Sequence, residues 1–270
     1  MGTEAAGQTA AHARRAHLLG MVERQGYCTI SELSAALDVS EMTIRRDVQR
    51  LADEGTLRSV HGGVTVPASQ SVGGPDLRAR SARMPAAKRA IARAAMSLLP
   101  SHGAVALDAG TTTLEFVKAL PPDIALHVVT ASLLAINALL GRPNVEVTSL
   151  GGTLRHRSQS FAGPATLAAL SELRVRTLFL AATAVSADAV YCGNHFDALT
   201  KRHLVEAADE VVLLADSSKF AASAMVRACS LDQVDTIVTD DGLSESARDA
   251  LVAHHVNVVM VDPSGADTQS

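Results

Sequence analysis

Hydrophobic positions change their spacing near residue 67. Before it they recur at helical intervals; beyond it they fall into short continuous runs separated by helix-like stretches. In HARRAHLLGMVERQG, Leu18, Leu19 and Val22 share one helical face, and Gly26 offers a stop. Thr29 precedes Glu32 by three residues, the spacing at which hydroxyl and carboxylate reciprocally satisfy free amides at a helix start, with Leu33 and Leu37 following at i, i+4. After Asp38 and Val39, Ser40 caps a third predicted helix with Ile44, Val48 and Leu51 inward, ending near Gly55. Leu57, Val60, Val64 and Val66 around HGG then predict a hairpin over 56–66.

The small, polar stretch PASQSVGGP between Pro67 and Pro75 reads as a linker. Beyond it, strands are predicted at 104–108, 126–130, 145–150, 177–183, 211–216, 236–240 and 256–262. Short apolar strands alternating with helices imply a parallel sheet covered on both faces. The expected organisation is a small helical domain over 13–68, a linker over 69–83, and an α/β domain over 84–262, with SGADTQS after Pro263 as a disordered tail.

Composition narrows the class. With 270 residues, 47% hydrophobic and 19% charged, the chain can build two cores. Cys28, Cys192 and Cys229 lie far apart without metal-ligand spacing, and the ten histidines show no HExxH pattern, so neither a metal nor a disulfide framework is expected. No apolar run approaches the roughly 18 residues of a membrane span, and the first twenty residues lack a signal-peptide core, which fits a cytoplasmic protein without membrane contact. A net charge of -4 gives no support to wholesale nucleic-acid binding, so charge has to be read locally.

Two short helices joined by a tight turn make a helix-turn-helix. With Ile44, Val48 and Leu51 inward, the candidate DNA contacts are Ser40, Met42, Thr43, Arg45, Arg46 and Gln49, at the end that enters a major groove, joined by Arg58 and His61 from the hairpin wing. Alternatively, Arg45 and Arg46 decorate a solvated helix and pair with Asp47, Glu41 or Asp53. In the larger domain, strand 104–108 runs into DAGTTTLEFVKAL. Amides freed at that helix start, with the hydroxyls of Thr111, Thr112 and Thr113, form a cradle for phosphate, or else the threonines simply cap the helix. There is no GxxxxGK[ST] loop and no GxGxxG after a strand, so no nucleotide or dinucleotide cofactor is expected. Asp108 orients this cradle, binds sugar hydroxyls or merely ends the strand, while Thr130, Ser132, Gly151, Gly152 and Asp216 with Lys219 sit at other strand ends, where ligands of open parallel sheets collect.

The stretch VSEMTIRRDVQRLADEGTLRSVHGG resembles the amino-terminal signature of the DeoR family of bacterial transcription regulators, through Val39, Ser40, Thr43, Ile44, Arg45, Arg46, Asp47, Leu51, Gly55, Leu57, Arg58, His61, Gly62 and Gly63. LDAGTTT, VVT followed by Ser132, LGGTLR, SFAGP and LLADSSKF are similar to that family's sensor domain. The resemblance implies a small amino-terminal winged helix-turn-helix followed by a Rossmann-like parallel-sheet sensor domain with the fold of ribose-5-phosphate isomerase. It further implies a double-stranded DNA operator and a phosphorylated sugar as partners, and a homodimer or homotetramer. It carries ligand contact onto Asp108, Gly110, Thr111, Thr112, Thr113, Thr130, Ser132, Gly151, Gly152 and Lys219. The chain departs from the family pattern at Ala131, where an Asn is common, in LAATAVSAD, where glycines are common, and at Asp197, where a Glu precedes Lys201. Two other readings compete: a sugar-phosphate isomerase using Asp216, Asp240 or Asp241 as base, and a regulator that has lost its ligand response.

Overall fold

The computed structural model describes residues 14–22, 27–53, 56–60, 63–65 and 77–264. The chain divides into two compact units, one up to Val72 and one from Gly73. The expected stops at Gly26 and Gly55, the wing turn at His61 and Gly62, Val66, the stretch 67–75 and the tail from 265 lie outside the described residues.

The first unit consists of a helix over 14–22 (α1), β1 (Tyr27–Thr29), α2 (Ile30–Leu37), α3 (Glu41–Asp53), β2 (Arg58–Val60) and β3 (Gly63–Thr65). The three strands form an antiparallel sheet in the order β1-β3-β2. Thr29 begins α2 as its spacing requires: Glu32 N donates to Thr29 Oγ1 at 3.1 Å and Thr29 N to Glu32 Oε2 at 2.8 Å. The turn to α3 places Asp38 at φ 51°, a left-handed conformation that Asp tolerates. Ser34 Oγ donates to Val39 O at 2.6 Å and ties that turn down. Leu18, Val22, Ile30, Leu33, Ile44, Val48, Leu51, Leu57 and Val64 close one apolar core under both helices and the sheet. Strand β1 is absent from the sequence reading; three residues carry no alternation, and their place is set by pairing with β3 across the chain.

The second unit opens with α4 (Leu77–Ala82) and α5 (Pro85–Ala94), followed by β4 (Ala104–Leu107), α6 (Thr111–Ala119), β5 (Leu126–Thr130), α7 (Leu133–Leu139) and β6 (Val145–Ser149). A hairpin of β7 (Thr153–Arg155) and β8 (Ser160–Ala162) leads into α8 (Pro164–Ser171) and β9 (Val175–Ala181). Then come β10 (Ala184–Val185), β11 (Ala189–Cys192), α9 (His195–Ala207), β12 (Ala208–Leu214), β13 (Val226–Ser230), β14 (Thr236–Asp240), α10 (Glu245–Ala253) and β15 (Asn257–Val261). Helix α4 occupies part of the stretch read as linker, where Leu77 is buried.

Seven strands form one parallel sheet in the order β15-β14-β12-β9-β4-β5-β6, and each corresponds to one of the seven apolar runs. Alternate residues feed opposite faces: Val105, Leu107, Phe179, Val212 and Leu214 join one core, and Ala106, Leu178, Leu180, Val211 and Leu213 the other. Phe116 on α6 packs on Phe179 with ring centroids 4.1 Å apart. A small antiparallel sheet, β10-β11-β13, lies outside this frame. The first sheet strand, β4, sits centrally, with β5 and β6 on one side and β9 on the other. The strand order therefore reverses between β4 and β9, which opens a crevice at their carboxyl ends.

Candidate functional sites

In the first unit, α3 buries Ile44, Asp47, Val48 and Leu51 and leaves Met42, Arg45, Arg46 and Gln49 exposed, Met42 by 60%. Ser40 caps the helix, its hydroxyl accepting from Thr43 N at 3.3 Å and lying 3.0 Å from the Thr43 hydroxyl. These two residues thus organise the helix start, whose amides favour an anion such as a DNA phosphate. Arg45 Nη2 stands 3.6 Å from Glu41 Oε2, with both side chains more than half exposed, so the pair restrains Arg45 weakly. Arg46 has no carboxylate partner among the described residues. Gln49 Nε2 donates to Asp53 Oδ1 at 2.8 Å. Strand β2 carries Arg58 in register with Thr65. His61 lies outside the described residues.

Asp47 does not pair with either neighbouring arginine. Its buried carboxylate takes Arg14 Nε at 2.6 Å and Arg15 Nη1 at 3.6 Å, so two cations of α1 clasp α3 from behind and leave Arg45 and Arg46 facing outward. The sequence held the signal: Asp47 lies three residues from Ile44 and four from Leu51, on the inward face.

In the second unit, the crevice between β4 and β9 is closed at its base by a buried ion pair. Asp108 Oδ2 accepts from Lys201 Nζ and, at 2.9 Å, from Ala181 N; Lys201 Nζ donates also to Ala181 O at 2.9 Å. Burial alone would push the Lys201 pKa down, but the adjacent Asp108 carboxylate outweighs it and holds it above the ordinary value. Asp108 is therefore committed to α9 and β9. Lys201 did not stand out as a site residue in the sequence, although Ala198, Leu204 and Val205 share its buried side of α9.

The residues taken from the strand ends divide by what they already hold. The Thr113 hydroxyl donates to Asp108 O at 2.8 Å and Gly110 O at 3.0 Å. Thr130 Oγ1 donates to Leu107 O at 2.6 Å and accepts from Ser132 N at 3.0 Å, while Ser132 Oγ accepts from Ala135 N at 3.2 Å as the cap of α7. These three hydroxyls shape the rim. Thr111 and Thr112, in the first turn of α6, have no such bonds among the described residues, and the first-turn amides have no intrahelical partners. Gly110 must be glycine here because an added Cβ would stand 2.4 Å from Ala181 Cβ. Gly151 and Gly152 adopt φ 60° and 109°, and a Cβ on Gly152 would meet Thr166 Oγ1 at 2.2 Å, so they form the turn after β6.

Lys219 follows β12 and is mostly buried, with Nζ 3.8 Å from Asp216 Oδ2 and no hydrogen bond among the described residues. Burial lowers its pKa, Asp216 opposes that, and Arg83 and Arg80 lower it further. Asp216 is fully buried and receives Ser218 Oγ. Asp240 accepts from Ser217 N and Ser217 Oγ, both at 2.7 Å, and so holds the turn bearing Lys219.

At the departures from the family pattern, Ala131 is buried and offers its carbonyl to Phe161 N at 2.8 Å. Asp197 exchanges hydrogen bonds with Asn194 at the start of α9. Arg155, at the end of β7, reaches over the Phe196 ring, 4.4 Å from its centre.

A winged helix-turn-helix with an outward cationic face, joined in one chain to a seven-stranded parallel-sheet unit, fits a DNA-binding regulator with a sensor domain. The chain belongs to the DeoR family: the DeoR-like helix-turn-helix domain matches residues 14–70 and the DeoR C terminal sensor domain matches 83–241. It is a DNA-binding transcription regulator. Among its relatives, the L-fucose operon activator of Haemophilus influenzae is 31% identical over 90% of this chain and 97% of its own length. The glycerol-3-phosphate regulon repressor of Escherichia coli is 32% identical over 89% and 95%. Among solved structures, ribose 5 phosphate isomerase A from Neisseria gonorrhoeae covers 52% of this chain and 54% of its own at 20% identity, with a TM-score of 0.37. No helix among the described residues is long and apolar enough to cross a membrane.

Proposed function

We propose that this regulator represses carbohydrate-metabolism genes in the cytoplasm, binding a double-stranded operator as a homodimer or homotetramer and releasing it when a phosphorylated sugar occupies the β4–β9 crevice. DNA contact falls to Ser40, Met42, Thr43, Arg45, Arg46 and Gln49 on α3, with Arg58 and His61 of the wing. The ligand falls to the first turn of α6, with Thr111 and Thr112 as direct contacts, Lys219 as counter-charge, and Asp108, Gly110, Thr113, Thr130, Ser132, Gly151 and Gly152 shaping the walls. The observation that carries this reading is the start of α6, where Thr111 and Thr112 have no side-chain hydrogen bond among the described residues and the first-turn amides have no intrahelical partner, at the strand-order reversal where open sheets hold ligands. The glycerol-3-phosphate regulon repressor supports the repressing sense, and the L-fucose operon activator marks the opposite sense within the same family.

The isomerase alternative needs a free base at the crevice. Asp240 is occupied by Ser217, Asp216 lies buried against Ser218 and Lys219, and Asp241 is exposed, so we read the chain as a binding protein and not an enzyme. Selection of bound DNA fragments by the full-length protein identifies the operator. Retention of that operator is then measured across a panel of phosphorylated sugars. Release by at least one of them is expected; operator binding unchanged across the panel refutes the switching part, and failure to enrich any DNA sequence refutes the specific-operator part.

A further inference from the structure

The parallel sheet has two edges, β15 and β6, and they are built differently. In β15, Asn257 N donates to Asp235 O at 2.9 Å and Val261 O accepts from Asp241 N at 3.0 Å. The register to β14 is continuous from Asn257 to Val261, and in such a ladder alternate residues address the neighbour. Asn257, Val259 and Val261 therefore turn their main-chain groups toward β14, and the N–H and C=O of Val258 and Met260 turn to the open side. No strand among the described residues pairs with that side.

Proteins blunt such edges with charges, proline or a covering segment, because a bare row of amides and carbonyls templates another strand. Edge β6 is blunted: the exposed Glu146 lies within it, and Val145 N already donates to Arg142 O at 3.1 Å. The NVVMV of β15 has neither charge nor proline. Val258, Val259 and Val261 are half-buried against the two cores of the sheet, while Met260 is 46% exposed. An apolar edge strand with open main-chain groups is the form that accepts a further strand.

The open groups are placed symmetrically about Val259. A second copy of β15, run antiparallel about a two-fold axis at Val259, sets Val258 against Met260 of that copy and Met260 against its Val258. Every outward N–H then meets an outward C=O, and no charge in the strand meets a like charge. The same axis brings α10 beside its own copy, since Leu251 of α10 and Val258 of β15 share one core. Helix α10 exposes Glu245, Arg248 and Asp249, charges of both signs that an antiparallel copy can match.

We propose that β15 is the surface through which two copies of this chain join, their sheets running on as one across an isologous strand pair. This rests on the homo-oligomer reading and adds its surface. A two-fold assembly also suits a reader of paired operator half-sites.

The test uses the full-length protein in sedimentation analysis and cross-linking. Met260→Pro removes an N–H that β14 does not use, a change that an edge strand tolerates, and should halve the mass of the wild-type assembly with circular dichroism unchanged. Val258→Cys/Met260→Cys should cross-link between copies on diamide oxidation, because the Cα atoms of a hydrogen-bonded antiparallel pair stand about 5.5 Å apart, within disulfide reach. Met260→Cys alone should cross-link about tenfold more slowly or less, since the two copies of that position lie on a diagonal of roughly 7–8 Å. A folded Met260→Pro variant that keeps the wild-type mass, or single and double cysteine variants that cross-link alike, overturns the proposed surface and leaves the homo-oligomer reading standing. If Met260→Pro does not fold, the cysteine variants decide. A wild-type chain that sediments as a monomer overturns both.

Discussion

Replacing Lys201 by Met keeps most of the side-chain stem but removes the charge that faces Asp108. The two side chains are 6% and 4% exposed, so the abandoned carboxylate gains little from solvent and keeps Ala181 N as its remaining donor. Breaking a buried pair from one side typically costs about 3–5 kcal/mol, and a loss of that size is expected here. Asp108→Asn should cost a similar amount by stranding Lys201. The double variant Asp108→Asn/Lys201→Met, with no charge left to compensate, should recover most of the loss. Urea unfolding followed by circular dichroism, with hydrogen exchange over β9 and α9 to localise the change, measures all three. A Lys201→Met loss below about 1 kcal/mol, or a double variant as unstable as the two singles added together, would overturn this account of the pair. Because the folded pKa of Lys201 is raised, its contribution is fully present below the ordinary lysine value of about 10.4 and fades only as pH climbs through the higher folded value.

Other expectations follow from the same geometry. Arg45→Ala/Arg46→Ala should weaken operator binding by about 2–3 kcal/mol and, for each DNA phosphate that is no longer neutralised, reduce the salt dependence of binding by about one unit of slope, as measured by fluorescence anisotropy across salt concentrations. Asp47→Ala releases α1 from α3; since Arg14 and Arg15 are partly exposed, the destabilisation should be about 1–2 kcal/mol, seen as faster hydrogen exchange over 14–22 and 41–53 with the second unit unchanged. Gly110→Ala forces a methyl onto Ala181 and should cost about 1–3 kcal/mol in chemical denaturation, with Ala181→Gly in the same chain restoring most of it. Lys88, with its folded pKa lowered to about 8, makes the unfolded chain bind more protons above that pH. Stability should therefore rise between about pH 8 and pH 10, and Lys88→Met should flatten that rise in a pH series of denaturation curves.

The elements that were legible in the sequence are those whose signals are local. Seven runs such as LHVVT and TIVTD became the parallel sheet because a strand covered on both faces needs apolar side chains at nearly every position. Thr29 with Glu32, and Ser40, announced α2 and α3 through side chains that reach only three residues. Strands β1, β10 and β11 escaped notice because a few residues show no period and their pairing partners lie elsewhere in the chain. Among site residues, the strand ends were readable, but the division between hydroxyls that brace the backbone and those left open was not, because Thr113 and Thr111 look alike in a string of threonines. Lys88 and Lys201 were hidden for another reason. Hydropathy reads lysine as surface, whereas helical phase aligns Lys88 with Ile91 and Ala92, and Lys201 with Ala198 and Leu204, all of them buried.

The β7–β8 hairpin meets the rim of the sheet through main-chain hydrogen bonds, Leu133 N to Gln159 O and Phe161 N to Ala131 O, and crosses toward α9 where Arg155 rests on Phe196. Attachments of this kind ignore the identity of most side chains along the ribbon. The ribbon can therefore be lengthened, trimmed or recharged without disturbing strand register beneath it, so this rim of the scaffold is free to vary while the sheet stays fixed.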